Sequence, residues 1–196
     1  MVGVQQIFST FLGLASILWT ADRGLTAGTM HTSDYGSLQH NAMLFFGGPN
    51  NREALSLSKR LGMHHHINLT IIRFLHASEQ TETFKANTAQ GEDVLMAISD
   101  HNPYVTSGQV GYIEKLVENG GETTSALRDM ADMYAMFIVG KRSRGHSTLT
   151  TSMSDWEKCP ELGKAGDILA FSDFDLSGSI LVIQQHRHSR PRDDDQ

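Results

Sequence analysis

Two glycine-bearing turns hold the residue types best suited to chemistry. Gly47-Gly48-Pro49 closes one apolar run, and Gly140-Lys141-Arg142-Ser143-Arg144-Gly145 closes another. Glycines let backbone N–H groups approach phosphate oxygens closely, and a helix opening at Pro49 adds the positive end of its dipole. Lys141, Arg142 and Arg144 attract an anion by charge alone. Other groupings support a chemical reading less well. His64-His65-His66 carries metal-binding side chains, but three consecutive residues do not converge on one ion and no Cys or carboxylate cluster accompanies them, so the run reads as a solvated turn. His186 and His188 read the same way. Cys159 beside Pro160 at a helix start would have a lowered thiol pKa, yet with His146 or His101 as partner it lacks a third, orienting group. Asp155 reads as a cap and Asp167 as a residue on a solvated helix face, rather than as an acid–base pair. Trp156 reads as a packing anchor. The hydroxyls between Ser143 and Ser154, beside basic residues, are chemically reasonable phosphorylation acceptors. Ten histidines in one chain could make it pH-sensitive near neutrality.

The elements that must position these residues come from an ordinary globular composition. Of 196 residues, 39% are apolar and 19% charged, enough to build one sizeable core. The net charge of -6 and the lack of a basic stripe argue against nucleic acid as a partner. A single cysteine rules out an intrachain disulfide and fits a reducing compartment. Ile7 to Trp19 is apolar but only 13 residues long, against roughly 20 for a membrane-spanning helix. No Lys or Arg precedes it and Trp19-Thr20-Ala21 is a poor cleavage site, which disfavours a signal peptide. Asn68-Leu69-Thr70 matches a glycosylation sequon by chance, inside an expected buried strand.

Along the chain, strand and helix patterns alternate. Asn41 to Phe46 reads as a buried strand, followed by a helix from Pro49 with Ala54, Leu57, Ser58 and Leu61 on one face and a stop at Gly62. Ile67 to Leu75 is a β-branched strand, and Val110 to Val117 another. Between them a helix is expected over Thr83 to Ile98 and a turn at Asp100-His101-Asn102-Pro103. Asn119-Gly120-Gly121 breaks the chain before a helix from Glu122 to Met133, with Ala126, Leu127, Met130 and Ala131 inward. Met136 to Gly140 has the uninterrupted apolar character of a strand covered on both faces. A helix from Pro160 turns Leu162, Ala165, Ile168 and Leu169 inward, and Ser179 to Gln184 is the last strand. The alternation predicts a parallel sheet with helices on both faces, with any ligand crevice beyond the carboxyl ends of the strands where their order reverses. Both glycine turns lie at such ends.

These same residues carry a family resemblance. Phe45-Phe46-Gly47-Gly48-Pro49-Asn50-Asn51-Arg52-Glu53-Ala54-Leu55 resembles the signature that opens the last domain of plant cation/proton exchanger tails. Phe137-Ile138-Val139-Gly140 with its basic loop is similar to the fourth strand of that domain. Asp155-Trp156, Cys159-Pro160-Glu161-Leu162-Gly163 and Gly166-Asp167-Ile168-Leu169-Ala170 resemble its last helix, and Val182-Ile183-Gln184-Gln185 its last strand. Asp22-Arg23-Gly24-Leu25 matches the motif preceding it. The resemblance covers about residues 22 to 186 and implies a Rossmann-like three-layer sandwich with a five-stranded parallel sheet of order 3-2-1-4-5, like that of universal stress proteins. It implies residues 1–35 as a remnant of a preceding module plus linker, 36–186 as the domain, and 187–196 as a disordered tail. The family departs from this chain before the domain, where Gly13-Leu14-Ala15 replaces an alanine-proline-cysteine run.

The resemblance also implies a function. The ion site of such exchangers belongs to membrane helices, so the expected role is a regulatory domain or truncated fragment serving potassium or other monovalent cation transport and pH homeostasis, without transport or enzymatic activity of its own. Its expected place is the cytosolic side of an endomembrane or the plasma membrane. Its partners would be the membrane antiporter domain or other cytosolic regulators, with no nucleic acid. Universal stress proteins that bind ATP use an aspartate after the first strand and a glycine-rich loop after the fourth. Here Gly47 takes the aspartate position, and Ser143 and Met153 replace loop glycines. What remains is a degenerate anion loop of Gly47, Gly48, Gly140, Arg142, Arg144 and Gly145, and no cofactor or metal is expected. The alternatives are a stand-alone binding module of the stress-protein type, homodimeric through an edge strand, and a small hydrolase, for which no residue constellation stands out.

Overall fold

The computed structural model describes residues 3–11, 14–22, 38–78, 109–141, 148–150, 159–170, 174 and 176–185. Its elements are β1 (Gly3–Phe11), β2 (Leu14–Asp22), β3 (Gln39–Phe45), α1 (Pro49–Leu61), β4 (Ile67–His76), β5 (Val110–Val117), α2 (Gly120–Asp129), β6 (Met136–Gly140), α3 (Gly163–Ala170) and β7 (Ser179–Gln185). One sheet holds all seven strands in the order β1-β2-β7-β6-β3-β4-β5. From β7 to β5 every neighbouring pair is parallel. Counted from β3 as the first strand, this is the expected order 3-2-1-4-5. The expected helix over Thr83 to Ile98, the turn at residues 100–103 and the tail beyond residue 186 lie outside the described residues.

The core follows from strand alternation. Ala42 and Leu44 of β3 pack with Leu127 of α2 and Leu169 of α3, while Met43 and Phe45 face Ala54 and Leu55 of α1. Helices therefore cover both faces, and the run Asn41 to Phe46 is wholly buried. On the α2–α3 side, Phe46 stacks on Phe74 with ring centroids 4.6 Å apart. Each aromatic contact of this kind adds roughly 0.5–1.5 kcal/mol beyond burial.

Three details differ from the sequence reading, and one adds to it. The apolar stretch Ile7 to Trp19 contributes to two antiparallel strands, with β2 pairing antiparallel to β7. Gly120 and Gly121 do not break the chain; they form the first turn of α2, because the Asn119 side chain accepts the Glu122 N–H at 3.0 Å and Glu122 accepts the Glu118 N–H at 2.8 Å. This reciprocal cap outweighs poor glycine propensity. The helix ends at Asp129 rather than Met133. The element at Pro160 is a short 3-10 turn over Pro160–Leu162, and Gly163, at φ 69°, resets the chain as the first residue of α3.

Candidate functional site

Strand order reverses at β3, so the candidate crevice lies above the carboxyl ends of β3 and β6. The chain leaves β3 through Gly47 and Gly48, at φ 82° and 87°, a backbone region that L side chains rarely adopt. This turn aims the first residues of α1 back across the sheet. Asn51, fully buried, donates from Nδ2 to the Gly47 carbonyl at 2.9 Å and accepts the Phe46 N–H at 3.5 Å. It thereby closes the turn from within.

Asn50 then spans the crevice. Its Nδ2 donates to the Lys141 carbonyl at the end of β6. Its Oδ1 accepts the Gln185 N–H at the end of β7, at 2.9 Å. One buried amide thus ties the start of α1 to two strands that lie far along the chain. Gly140 permits this approach. A Cβ there would stand 2.4 Å from both Asn50 C and Asn51 N, closer than real Cβ contacts come. The glycine of the second turn is therefore accounted for by a helix backbone packed against it.

Gly47, Gly48, Gly140 and Lys141 are thus brought together at one end of the sheet. Arg142, Ser143, Arg144, Gly145 and Met153 lie outside the described residues, as do His146, His101 and Asp155. The two asparagines were missed from sequence. Their signal was present: two consecutive poor helix formers in the first turn of a helix otherwise well patterned for burial.

A second polar cluster was also missed. Arg73 sits on the α1 face of β4 beside Leu69 and Ile71 and is only 6% exposed. Its guanidinium contacts Glu114 of β5 at 3.3 Å, and the Tyr112 hydroxyl donates to the same carboxylate oxygen at 2.6 Å. Burial, reinforced by the Glu114 carboxylate, pushes the Tyr112 hydroxyl up to about 12. The sequence signal was an arginine inside Ile71-Ile72-Arg73-Phe74.

The remaining candidates are scattered. His64, His65 and His66 are exposed on the turn between α1 and β4, with the His65 and His66 rings 3.9 Å apart. Among the described residues no three His, Cys, Asp or Glu side chains group to hold a metal. Asp167 is not on a solvated face: it is 5% exposed and accepts the Cys159 N–H at 2.7 Å. Its carboxylate caps the 3-10 turn, a structural task at a helix-like N-terminus.

Fold and site together define a doubly wound parallel α/β domain whose switch point is bridged by an asparagine of its first helix. The family model described as plant cation/H(+) antiporter, C-terminal domain, matches residues 38–184. The chain is 43% identical to cation/H(+) antiporter 1 of Arabidopsis thaliana over 187 residues, which is 86% of this chain and 23% of the relative. It is 42% identical to cation/H(+) antiporter 2 of the same plant over 195 residues, 90% of this chain and 24% of that one. This chain belongs to the plant cation/H+ antiporter family, and it spans about a quarter of the length of these relatives. Among solved structures it is similar to the universal stress protein UspA from Lactobacillus plantarum, with a TM-score of 0.49 and 10% identity over 75% of this chain and 98% of that one. No helix among the described residues is long and apolar enough to cross a membrane.

Proposed function

We propose that this chain is a regulatory domain of a monovalent cation/H+ exchanger. It acts on potassium and pH balance through the membrane part of such a protein, on the cytosolic side of an endomembrane or the plasma membrane. It moves no ions and performs no catalysis alone. The observation that carries this reading is the Asn50 bridge across the switch point. The place where a domain of this build would hold a ligand is used to fasten α1 to β6 and β7, which suits a rigid body that transmits contact. The test is expression in yeast lacking potassium uptake, alone and together with a full-length relative. The expected result is no rescue alone and an altered pH dependence of growth in combination. Rescue by this chain alone would overturn the reading.

A second reading, a stand-alone module with weak affinity for an anion, has one observation in its favour. Among the described residues nothing lies within 4 Å of where a Cβ would stand at Gly47 or Gly48, and no acidic residue stands in the first turn of α1. That opening favours phosphate or sulfate over a nucleotide, because no carboxylate is placed at Gly47 to hold a nucleoside. Chemical-shift changes at Gly47 and Gly48 on adding phosphate would favour it.

A further inference from the structure

The end of the sheet opposite the Asn50 bridge presents apolar side chains to solvent. Leu38, Met63 and Met133 are 51%, 52% and 63% exposed. Leu38 immediately precedes β3, Met63 lies in the turn before β4, and Met133 lies in the turn before β6. β3 sits between β4 and β6, so the three stand at the amino ends of three adjacent parallel strands. The other exposed large hydrophobics, Ile113 and Leu116, lie within β5. Among the described residues none stands at the carboxyl end of β3 or β6.

Hydrogen bonds hold this end in one piece. The Gln39 N–H donates to the His66 carbonyl at 2.8 Å, the Ala135 N–H to the His40 carbonyl at 2.7 Å, and the Ser179 N–H to the Ala135 carbonyl at 2.9 Å. The apolar side chains are thus carried on a fixed floor, with exposed His40, His64 and Asp132 beside them. Apolar groups gathered on a surface and rimmed by polar ones mark a site of interaction. Methionine suits such a site, because its flexible thioether adapts to an irregular partner.

The course of the chain points to what covers it. β3 begins at this end with Gln39. β2 runs antiparallel to β7, with Ala21 opposite Ile180, so Asp22 also lies at the amino end of β7. Its partner Gly3, the first residue of β1, lies there too. Chain preceding Gly3 therefore reaches the domain at the same end as the exposed side chains. In the antiporters it matches, this domain is C-terminal and the matched part is about a quarter of the length. The other three quarters of such a chain arrive from that side.

We propose that the amino end of the sheet, through Leu38, Met63 and Met133, docks on an apolar surface of the antiporter chain that precedes this domain. This deepens the reading of the domain as a regulator and rests on it.

The test uses the full chain and yeast membranes bearing the 43% identical Arabidopsis relative without its C-terminal quarter. Wild type is expected to co-sediment saturably with these membranes and not with membranes lacking the relative. The double variant Met63→Glu and Met133→Glu is expected to bind at least about ten-fold more weakly, the effect of losing one or two central contacts. Ile113→Glu, the same kind of change within β5, is expected to bind as wild type does. In case the charged pair impairs folding, Met63→Gln with Met133→Gln repeats the measurement with side-chain shape largely kept. Amino-end variants that bind as tightly as wild type overturn the proposal. So does a wild type that ignores the relative. A wild type that doubles in mass by light scattering, and loses this in the same variants, also overturns it, since a second copy then covers the patch. The yeast growth assay separates this from the regulatory reading. Binding with no change in the pH dependence of growth removes regulation and leaves the docking surface. Amino-end variants that alter growth as wild type does remove the surface and leave regulation.

Discussion

Replacing Asn50 by alanine removes the bridge across the switch point while leaving α1 otherwise intact. Two hydrogen bonds are lost, one to the Lys141 carbonyl and one from the Gln185 N–H. A net bond contributes about 0.5–1.5 kcal/mol, and a stranded buried partner costs about 1–3 kcal/mol. Lys141 and Gln185 are half-buried, so water relieves part of that cost. A value near 1.3 kcal/mol per group gives a total of about 2.6 kcal/mol. Alanine is the better helix former by about 0.6 kcal/mol, which leaves a net loss of about 2 kcal/mol. For a chain of this size the melting temperature should fall by about 4–8 °C. Asn50→Asp sharpens the test. It retains an acceptor for Gln185 N–H but sets a carboxylate oxygen against the Lys141 carbonyl. That repulsion raises the carboxyl pKa in the folded state, so the folded state binds the proton more tightly. Stability of this variant should therefore fall as pH rises through about 4 and above, and recover in acid, where the protonated group can donate to Lys141. Urea midpoints for the three proteins at pH 4 and pH 7 supply the measurement. A loss below about 0.5 kcal/mol for Asn50→Ala, within the range of an ordinary surface substitution, would refute the bridge. An Asn50→Asp variant with no more pH dependence than wild type would do the same.

Gly140→Ala should destabilise by about 1–3 kcal/mol in urea, because the added Cβ meets backbone atoms at 2.4 Å and neither can rotate away. Tyr112→Phe should flatten alkaline unfolding. Wild type holds the Tyr112 proton up to about 12 when folded, against an unperturbed value near 10, so its stability should drop as pH rises through that window, and the difference between the two proteins isolates this group. Asp167→Ala should cost about 1–2 kcal/mol through loss of the Cys159 cap, with Asp167→Asn recovering most of it, as read by thermal melts.

Much of this architecture is legible in the sequence because burial on both faces leaves uninterrupted apolar runs. Met43 to Phe45, Ile71 and Ile72, and Phe137 to Val139 announce their strands in this way. Gly62 marks the end of α1 as expected, donating its N–H to Ser58. The strands at residues 3–22 are not legible, since an apolar run of this length carries no periodicity that separates strand from helix. Asp167 is misread because helical spacing places a residue on a face but does not say what lies opposite; Cys159 folds back onto it. At the site, glycines suggest anion chemistry from composition, whereas their use depends on what approaches them. Positive φ at Gly47 and Gly48 serves the turn, and the missing Cβ of Gly140 serves α1. Asn50 is invisible as a bridge because its partners are backbone groups, which any residue supplies.

The central claim is that the switch point serves as a fastening rather than a nucleotide cradle, and calorimetric titration of the full chain with ATP and magnesium tests it most directly. The account predicts no binding tighter than about millimolar, equivalent to about -4 kcal/mol. Micromolar affinity, abolished by Gly140→Ala but not by Tyr112→Phe, would contradict it.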